Sequence, residues 1–389
     1  MKRRVKFVSL VMLILFLASI SYAQIEFLGE IQIDGEMKDL SNLTNILEEG
    51  SSHDKFGGIS GIAYTGNNKE YVLLSDRGPA DGDANYYTRF HIMDITVDKT
   101  GDKWHIQTEL KKTVLLKTKA GENFIGKADN KLRLDPEAIQ VSENGYIISD
   151  EYGPFIYEFD KNGILIREIE VPEKFRVKNI SGKKHLEMPP HNTSGRQSNR
   201  GFEGVAISPN KKKITAILQS PLIQDSGLDD KNKKVGINIR MLDINLDSNE
   251  KKEFVYQLED SSNGVNEILA LNDNEYLVLE RDGKKGTKAN FKKLFKIDIS
   301  NATDISLIES LPQNELPKDI TPVKKEKFLD LLDNSFSISK DDFPEKIEGV
   351  TLGETLPDGR KLLLIAIDND FLSSQPTVIW AFAVGQIDN

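Results

Sequence analysis

The feature that most constrains the fold is a short unit that recurs five times along the chain. Each unit begins with a small-residue step into a short apolar strand. It continues with an apolar strand that ends in acidic residues, and it adds a third strand that usually closes on Asp. The five units begin at residues 60–63, 137–139, 203–206, 266–269 and 348–351. Five recurrences indicate an array of similar structural units.

The composition of the apolar runs predicts an all-β fold. The runs are short, rich in Val, Ile, Tyr and Phe, and separated by Asn-Gly, Asp-Gly or Asn-Asn turns, which is typical of hairpins. Most units contain a fourth candidate strand, which we place at 104–117, 164–171, 254–258 and 306–311. Four antiparallel strands in each unit predict a β-propeller. We count five blades, and the spacing of about 63 to 82 residues between units leaves six or seven open.

The last unit runs out of chain before its fourth strand. Residues 25–31, near the amino end, form a spare strand that would complete it and close the ring. Helix signals are scarce, with one or two turns expected at 325–332. Polar loop material is concentrated at 172–200, 221–235 and 312–345. Because composition marks no boundary, we predict a single propeller domain over residues 24–389.

Residues 1–23 have the pattern of a cleaved signal peptide. A basic start precedes an apolar run from Phe7 to Ile20, and small residues lie where a signal peptidase cuts. The apolar run of 14 residues is short for a membrane span, which needs about 20. The alternative is an uncleaved anchor. The chain has no cysteine, which excludes disulfides, thiol nucleophiles and lipobox attachment. We therefore predict a periplasmic or secreted protein with no stable membrane anchor after cleavage.

The charge of the chain disfavours polyanionic partners. The sequence has 51 Lys and Arg residues against 61 Asp and Glu residues, a net charge of −10. Residues 1–23 contain four basic residues and no acidic ones, so cleavage leaves 47 against 61, a net charge of −14. Such a charge repels phosphate backbones and anionic lipids. Nucleic acid is thus a poor candidate partner, and cations are better ones.

Propeller geometry would gather many of the acids at one rim. In an antiparallel pair, the start of the first strand lies beside the end of the second. The strand starts supply Glu137, Glu203, Glu267 and Glu348. The strand ends supply Asp76, Asp150, Glu151, Glu280, Asp282, Asp368 and Asp370. Such crowding predicts bound Ca²⁺ or another divalent cation, or interleaved Arg77 and Arg281. In the alternative interpretation these acids only bond turn amides and hold the blades together.

The polar segment 191–200 leads directly into Glu203 and brings further candidates towards the same rim. His191 would touch the substrate, and Arg196 and Arg200 would clamp a phosphate by paired hydrogen bonds. Solvated loop arginines are the alternative. No nucleophile elbow, Walker loop, His-Glu-x-x-His or dinucleotide motif is present. The Lys-Lys pairs, including 233–234, are typical of solvated turns.

Six short blocks, in this order, resemble the bacterial "esterase-like activity of phytase" family. They lie at residues 57–62, 74–78, 135–139, 199–204, 279–282 and 347–350, and the resemblance spans roughly residues 50–384. It implies an exported β-propeller hydrolase that acts on phosphate esters or related esters. One block departs from the family pattern, because Asp368-Asn369-Asp370-Phe371 stands where relatives commonly show Ser-Asp-Asn-Asn-Phe.

The leading hypothesis is a monomeric, divalent-metal-dependent phosphoesterase that acts on a small-molecule ester. Carboxylates at the rim would hold Ca²⁺, and the metal would polarise a phosphoryl oxygen and activate a water. Glu137, Glu203, Glu267 and Glu348 would be ligands or general bases, and Arg77 or Arg281 would neutralise charge on the phosphate. A lactonase-type metal hydrolase is the second hypothesis. The third is a non-catalytic propeller that binds a glycan or a protein partner.

Overall fold

The computed structural model describes residues 25–385, so the predicted signal peptide lies outside the described residues. Twenty strands form five four-stranded antiparallel sheets. In chain order they are β1 (Glu26–Ile33); β2 (Ile59–Tyr64), β3 (Glu70–Ser75), β4 (Arg89–Thr100) and β5 (Lys103–Leu115) in blade 1; β6 (Pro136–Val141), β7 (Gly145–Asp150), β8 (Phe155–Asp160) and β9 (Leu165–Ile169) in blade 2; β10 (Phe202–Ile207), β11 (Lys213–Leu218), β12 (Asn238–Asn245) and β13 (Lys251–Gln257) in blade 3; β14 (Gly264–Ala270), β15 (Glu275–Arg281), β16 (Lys292–Asp298) and β17 (Lys324–Asp330) in blade 4; and β18 (Ile347–Thr355), β19 (Lys361–Ile367) and β20 (Thr377–Val384) in blade 5.

Helical structure within residues 25–385 is limited to short turns. One four-residue turn spans Pro79–Gly82, and 3-10 turns span Glu173–Phe175, Lys184–Glu187, Ile223–Asp225, Gly286–Lys288 and Asn334–Phe336. No helix in this part of the chain has the length and apolar character needed to cross a membrane.

The predicted all-β propeller is confirmed, with five blades. The innermost strands β2, β6, β10, β14 and β18 each contact the next one, and β18 contacts β2, so the ring is closed. The amino-terminal strand β1 completes blade 5 by pairing antiparallel with β20, from Glu26 opposite Ala383 to Ile33 opposite Thr377. Trp380 Nε1 on β20 donates a hydrogen bond of 3.0 Å to Glu30 Oε2 on β1.

Two local predictions in blade 4 are wrong. The fourth strand is β17, not 306–311, and the helical turns expected at 325–332 overlap this strand. The segment 306–311 lies instead beside blade 3, where Ile305 N donates to Glu253 O at 2.8 Å. Ile305 and Leu311 pack there with Val255 in a separate small apolar cluster. Strand β17 was missed because charged residues dominate it and it lies at the outer edge of its sheet.

The small-residue step that starts each unit reflects close packing around the axis. A Cβ on Gly204 would lie 2.6 Å from Ile268 N in blade 4, and one on Gly349 would lie 2.8 Å from Ile62 N in blade 1. Both distances are shorter than real Cβ contacts, so a side chain at either position would push neighbouring backbones apart. The small residues therefore let adjacent innermost strands approach each other.

The pairing of every innermost strand with its neighbour is irregular at the same place, close to the start of the strand. The ladder skips Ser60 in β2, Glu203 in β10 and Asn266 in β14. In β6 and β18, the wider gaps contain Glu137 and Glu348. Bulges of this kind re-aim a side chain. Here the same device is repeated five times, once in each blade.

Candidate active site at the channel mouth

Glutamates from three blades meet where the bulges lie. Burial raises the pKa of Glu137 well above its usual range, and Asp135, Glu203, Glu151 and Glu348 raise it further. These groups come from blades 2, 3 and 5, which meet only around the axis. The structure therefore brings Glu137, Glu203 and Glu348 together at one mouth.

A second row of side chains comes from the ends of the second strands. On four of the second strands, one residue lies just beyond the last residue that pairs with the innermost strand. These residues are Asp76, Glu151, Gln219 and Asp368, and Arg281 is the equivalent in β15, where the pairing extends one residue further. Burial raises the pKa of Asp76 well above its usual range, and Asp368 from blade 5 adds to this. Arg281 Nη2 donates to Glu348 Oε1 at 2.9 Å. The row therefore mixes acids with an arginine.

The densest part of the mouth is an acidic triad formed by Asp135, Glu137 and Glu151. Carboxylate oxygens of the three residues lie within 4.8 Å of one another, and all three side chains are buried. Asp135 Oδ1 and Glu151 Oε1 have no hydrogen-bond partner. Unpaired buried oxygens are costly. Three carboxylates with free oxygens are a hard-ligand set that suits Ca²⁺ or Mg²⁺.

Arg77 supplies the positive charge that faces the triad. Its Nη1 donates to Asp135 Oδ2 and, at 3.4 Å, to Glu151 Oε2. These are not the two unpaired oxygens, which are Asp135 Oδ1 and Glu151 Oε1. Its Nη2 donates to Asp81, and Asn199 also accepts from Nη1. The guanidinium and a cation could thus share the triad without competing for the same oxygens.

Glu151 also forms a carboxyl pair with Glu203. The two carboxyls lie close enough that the charge of Glu151 acts on Glu203. Burial raises the pKa of Glu203 well above its usual range, and the charge of Glu151 raises it further. The neutral form of Glu203 is therefore favoured. The Gln219 side-chain amide donates to Glu203 Oε1 and fixes the orientation of that carboxyl.

Blade 5 adds a lysine and two more acids. Lys346 Nζ lies 2.9 Å from Asp368 Oδ2 and also pairs with Asp370. Burial raises the pKa of Glu348 to about 7, and Asp368 contributes to the shift. A cleft of about 970 Å³ opens beside these residues, lined by Lys346, Asp368 and Asp370 and continuing to Trp380. None of the triad residues lines this cleft, which lies at blade 5 and the loops beside it.

Glu267 does not join the other three glutamates. The equivalent bulge position in blade 4 is Asn266, and Glu267 lies one residue further along the strand. Its Oε1 accepts from Ile268 N at 2.9 Å, and burial raises its pKa, while hydrogen bonds from the backbone of Ile268 and Val205 oppose that rise. Glu267 thus lies at the seam between blades 3 and 4.

Three further acids have structural partners and do not belong to the triad. Glu280 accepts from Tyr256, Glu259 N, Asn263 and Lys325, all within 2.8 Å. Asp282 accepts from the backbone of Asn290 at 2.9 Å and lies 3.2 Å from Lys292 Nζ. Asp150 accepts from the backbone N–H groups of Asp135 and Gly153, and burial raises its pKa to about 7. The turn-bonding interpretation describes these three acids.

The candidates in segment 191–200 have different surroundings. Arg196 is fully buried, donates to Tyr152 O and pairs with Glu187 at 2.7 Å, so its guanidinium is already engaged. His191 is exposed on the loop. Arg200 is half-buried, and its Nη1 donates to Gln219 Oε1 at 2.6 Å. Only Arg200 of these three contacts a residue of the second row.

Sequence reasoning missed Asp135, Asn199, Gln219, Asn266 and Lys346. A signal existed for two of them. Asp135 and Lys346 each lie directly before the first residue of an innermost strand, so an alignment of the five units on Pro136 and Ile347 places them together. Asn266 and Gln219 have no such signal, because amides were not part of the acidic pattern.

The model of the Phytase-like family, described as "Esterase-like activity of phytase", matches residues 54–371. A protein of Arthroderma benhamiae named an uncharacterized secreted protein is 28% identical over 205 residues. That match covers 45% of this chain and 40% of the fungal protein, so the chain spans less than half of that relative's length.

Solved structures resemble the chain only weakly. A putative oxidoreductase (glucose dehydrogenase) from Thermus thermophilus is 12% identical, with a TM-score of 0.36, over 92% of this chain and 99% of that one. The β-propeller domain of Cps50 (Swd1) from Myceliophteria thermophila is 9% identical, with a TM-score of 0.35, over 85% of this chain and 97% of that one. Scores this low support no inference about activity.

Proposed function

Because this chain belongs to the Phytase-like family, we propose that it is an exported, divalent-metal-dependent hydrolase of small-molecule phosphate esters. The family match over residues 54–371 supports an esterase-like activity, and the similarity to a secreted fungal protein supports export. The observation that carries the proposal is the triad of Asp135, Glu137 and Glu151, whose oxygens lie within 4.8 Å of one another.

The triad fits a hard cation better than it fits a purely structural role. The turn-bonding acid Glu280 has both oxygens satisfied by hydrogen-bond donors. Asp135 and Glu151 instead each keep one buried oxygen without a partner. Ca²⁺ takes six to eight oxygen ligands and tolerates irregular geometry. Asp135 and Glu151 would hold it together with Glu137. Asp76, Asp368 and Asp370 remain candidates for further contacts at the same mouth.

The neighbouring residues have separate roles in this proposal. A bound divalent cation supplies charge stabilisation at a phosphoryl oxygen and lowers the pKa of a coordinated water. Arg77 positions Asp135 and Glu151 through its hydrogen bonds to their other oxygens. Glu203, whose pKa is raised by burial and by the charge of Glu151, would deliver a proton to the departing alkoxide. The ring completes this arrangement within one chain, so we propose a monomer.

The test is turnover of p-nitrophenyl phosphate and bis(p-nitrophenyl) phosphate by the exported form, first in EDTA and then with added Ca²⁺ or Mg²⁺. We expect no activity in EDTA and recovery with one of the two ions. Glu137→Gln should lower kcat by about 10²-fold or more, because it removes a ligand oxygen's charge. The matched control Glu267→Gln should keep turnover, since Glu267 lies at the blade seam.

Three outcomes would count against the proposal. Equal activity with and without EDTA would refute the proposed metal dependence. Hydrolysis of a sugar lactone without phosphatase activity would favour the lactonase-type alternative. No turnover of any ester, with no effect of Ca²⁺ on the melting temperature, would favour a propeller that only binds a glycan or protein.

A further inference from the structure

Three cations surround one short backbone segment at the blade 3 and blade 4 side of the mouth. Lys234 Nζ donates to Asn263 O. The next residue, Gly264, lies opposite Arg281 in the β14–β15 pair. Arg200 Nη1 donates to Gln219 Oε1 at 2.6 Å. Gln219 in turn packs on Gly264, where a Cβ would lie 3.1 Å from Gln219 Cγ. Lys234 thus contacts residue 263, and Arg200 reaches residue 264 through Gln219. Arg281 is the strand partner of Gly264, and its guanidinium bonds Ile347 O and Glu348.

These cations have too few carboxylate partners. Within residues 25–385, Arg281 forms one ion pair, with Glu348 at 2.9 Å, whereas no carboxylate lies within 4.0 Å of the charged nitrogens of Arg200 or Lys234. Arg200 Nη1 donates only to uncharged groups, Gln219 and Ser220. Two positive charges thus remain without a direct counter-charge in a protein that is acidic overall.

Lys234 is the least expected member of this group, because its sequence context suggests a solvated turn. It is half-buried in the structure, whereas its neighbour Lys233 is exposed. Burial lowers the pKa of Lys234 to about 7, and Arg200 lowers it further. Arg281 also lowers this pKa, while Asp260 and Glu280 oppose the shift. An anion bound here would relieve the repulsion between the three cations.

We propose that Arg200, Lys234 and Arg281 form a subsite for the phosphate dianion of a monoester substrate. The inference rests on the proposed function and specifies its substrate class. Two uncompensated cations match the two charges of a phosphate monoester, and arginine forks suit its oxygens. Gln219 connects the subsite to Glu203, because it bonds both Arg200 and Glu203, and the charge of the triad residue Glu151 acts on Glu203. The subsite thus lies beside the triad.

The test measures binding of inorganic phosphate to the metal-free protein by titration calorimetry at pH 8. We expect Arg200→Gln and Lys234→Met each to weaken binding by about tenfold or more, while Lys233→Met leaves it unchanged. Proton uptake should accompany binding to the wild type and disappear in Lys234→Met, as shown by the dependence of the heat on buffer ionisation. Sulfate should compete with phosphate, and acetate should not. Melting curves show whether each variant is folded.

The results separate this inference from the proposed function. Phosphate binding that depends on Arg200 and Lys234, without any ester hydrolysis, would support the subsite and refute the proposed hydrolase function. If both variants hydrolyse a phosphomonoester with an unchanged KM, the proposed subsite is refuted and the proposed hydrolase function is retained. Equal phosphate affinity in Lys233→Met and Lys234→Met would also overturn it, since the effect would then be general surface charge.

Discussion

Replacing Arg77 by Met tests whether the triad is an electrostatic cluster. Arg77 is 9% exposed, and its partners Asp135 and Glu151 are 0% and 2% exposed. Removing one member of a buried ion pair typically costs about 3–5 kcal/mol, because the remaining charge stays buried without a partner. An unfolding entropy of about 2.1 cal/mol/K per residue over residues 25–385 is roughly 0.8 kcal/mol/K. We therefore expect the melting temperature in EDTA to fall by about 4–7 °C.

Calcium should restore part of this loss if the triad binds it. A ligand at 100 times its Kd stabilises the folded state by about 2.7 kcal/mol. The Ca²⁺-induced rise in melting temperature should therefore recover about half of the loss, or more, in Arg77→Met. Differential scanning calorimetry in EDTA and in excess Ca²⁺ measures both shifts. The control Lys212→Met removes an exposed pair with Asp247 and should change stability by less than about 1 kcal/mol.

One result would refute this reasoning directly. If Arg77→Met and the wild type have the same melting temperature in EDTA, the guanidinium does not stabilise the carboxyls, and these must be neutral in the folded protein. A lower melting temperature in EDTA with no response to Ca²⁺ would instead support the ion pairs and refute the calcium site.

Two further predictions concern buried groups away from the mouth. Burial lowers the pKa of His91 to about 4, below its unfolded value of about 6.5, so stability should fall as pH falls from 6.5 to 4, by up to about 3 kcal/mol. Urea unfolding at pH 4.5 and 7 should show a smaller pH effect in His91→Gln, and an unchanged effect would contradict the shift. Arg240 bonds Asp225 at 2.7 Å and Glu253 at 2.6 Å in full burial. Arg240→Met should therefore lose about 3–5 kcal/mol of stability while KM at 25 °C stays unchanged, and a changed KM would contradict this.

The fold could be predicted because its signal is collective. Apolar runs of β-forming residues recur in every blade. A small residue beside the bulge recurs in four of them, with Glu267 in its place in blade 4, and it makes close contacts such as that of Gly204 with Ile268. Strand β17 lacked that signal. Its sequence KKEKFLD has one buried side chain, Leu329, and three exposed ones, because it is an edge strand. Edge strands need less apolar character than inner ones, so composition does not reveal them.

The site could be predicted only to within one residue. Side chains alternate between the two faces of a strand, so Glu151 and Arg281 reach the mouth while their neighbours Asp150 and Glu280 bond other groups. A bulge then changes this alternation, which is why Asn266 and not Glu267 takes the ring position. Neither the register nor the bulge can be read from the sequence of a single unit.

The pairing of β1 with β20 has a consequence for assembly at high concentration. β1 precedes every other described strand and β20 follows them all, so blade 5 is built from two segments far apart in the chain. When β1 detaches, β20 presents an open edge that the β1 of another molecule fits equally well. Crowded or refolding samples should therefore contain strand-exchanged dimers, which separate again on dilution and slow annealing.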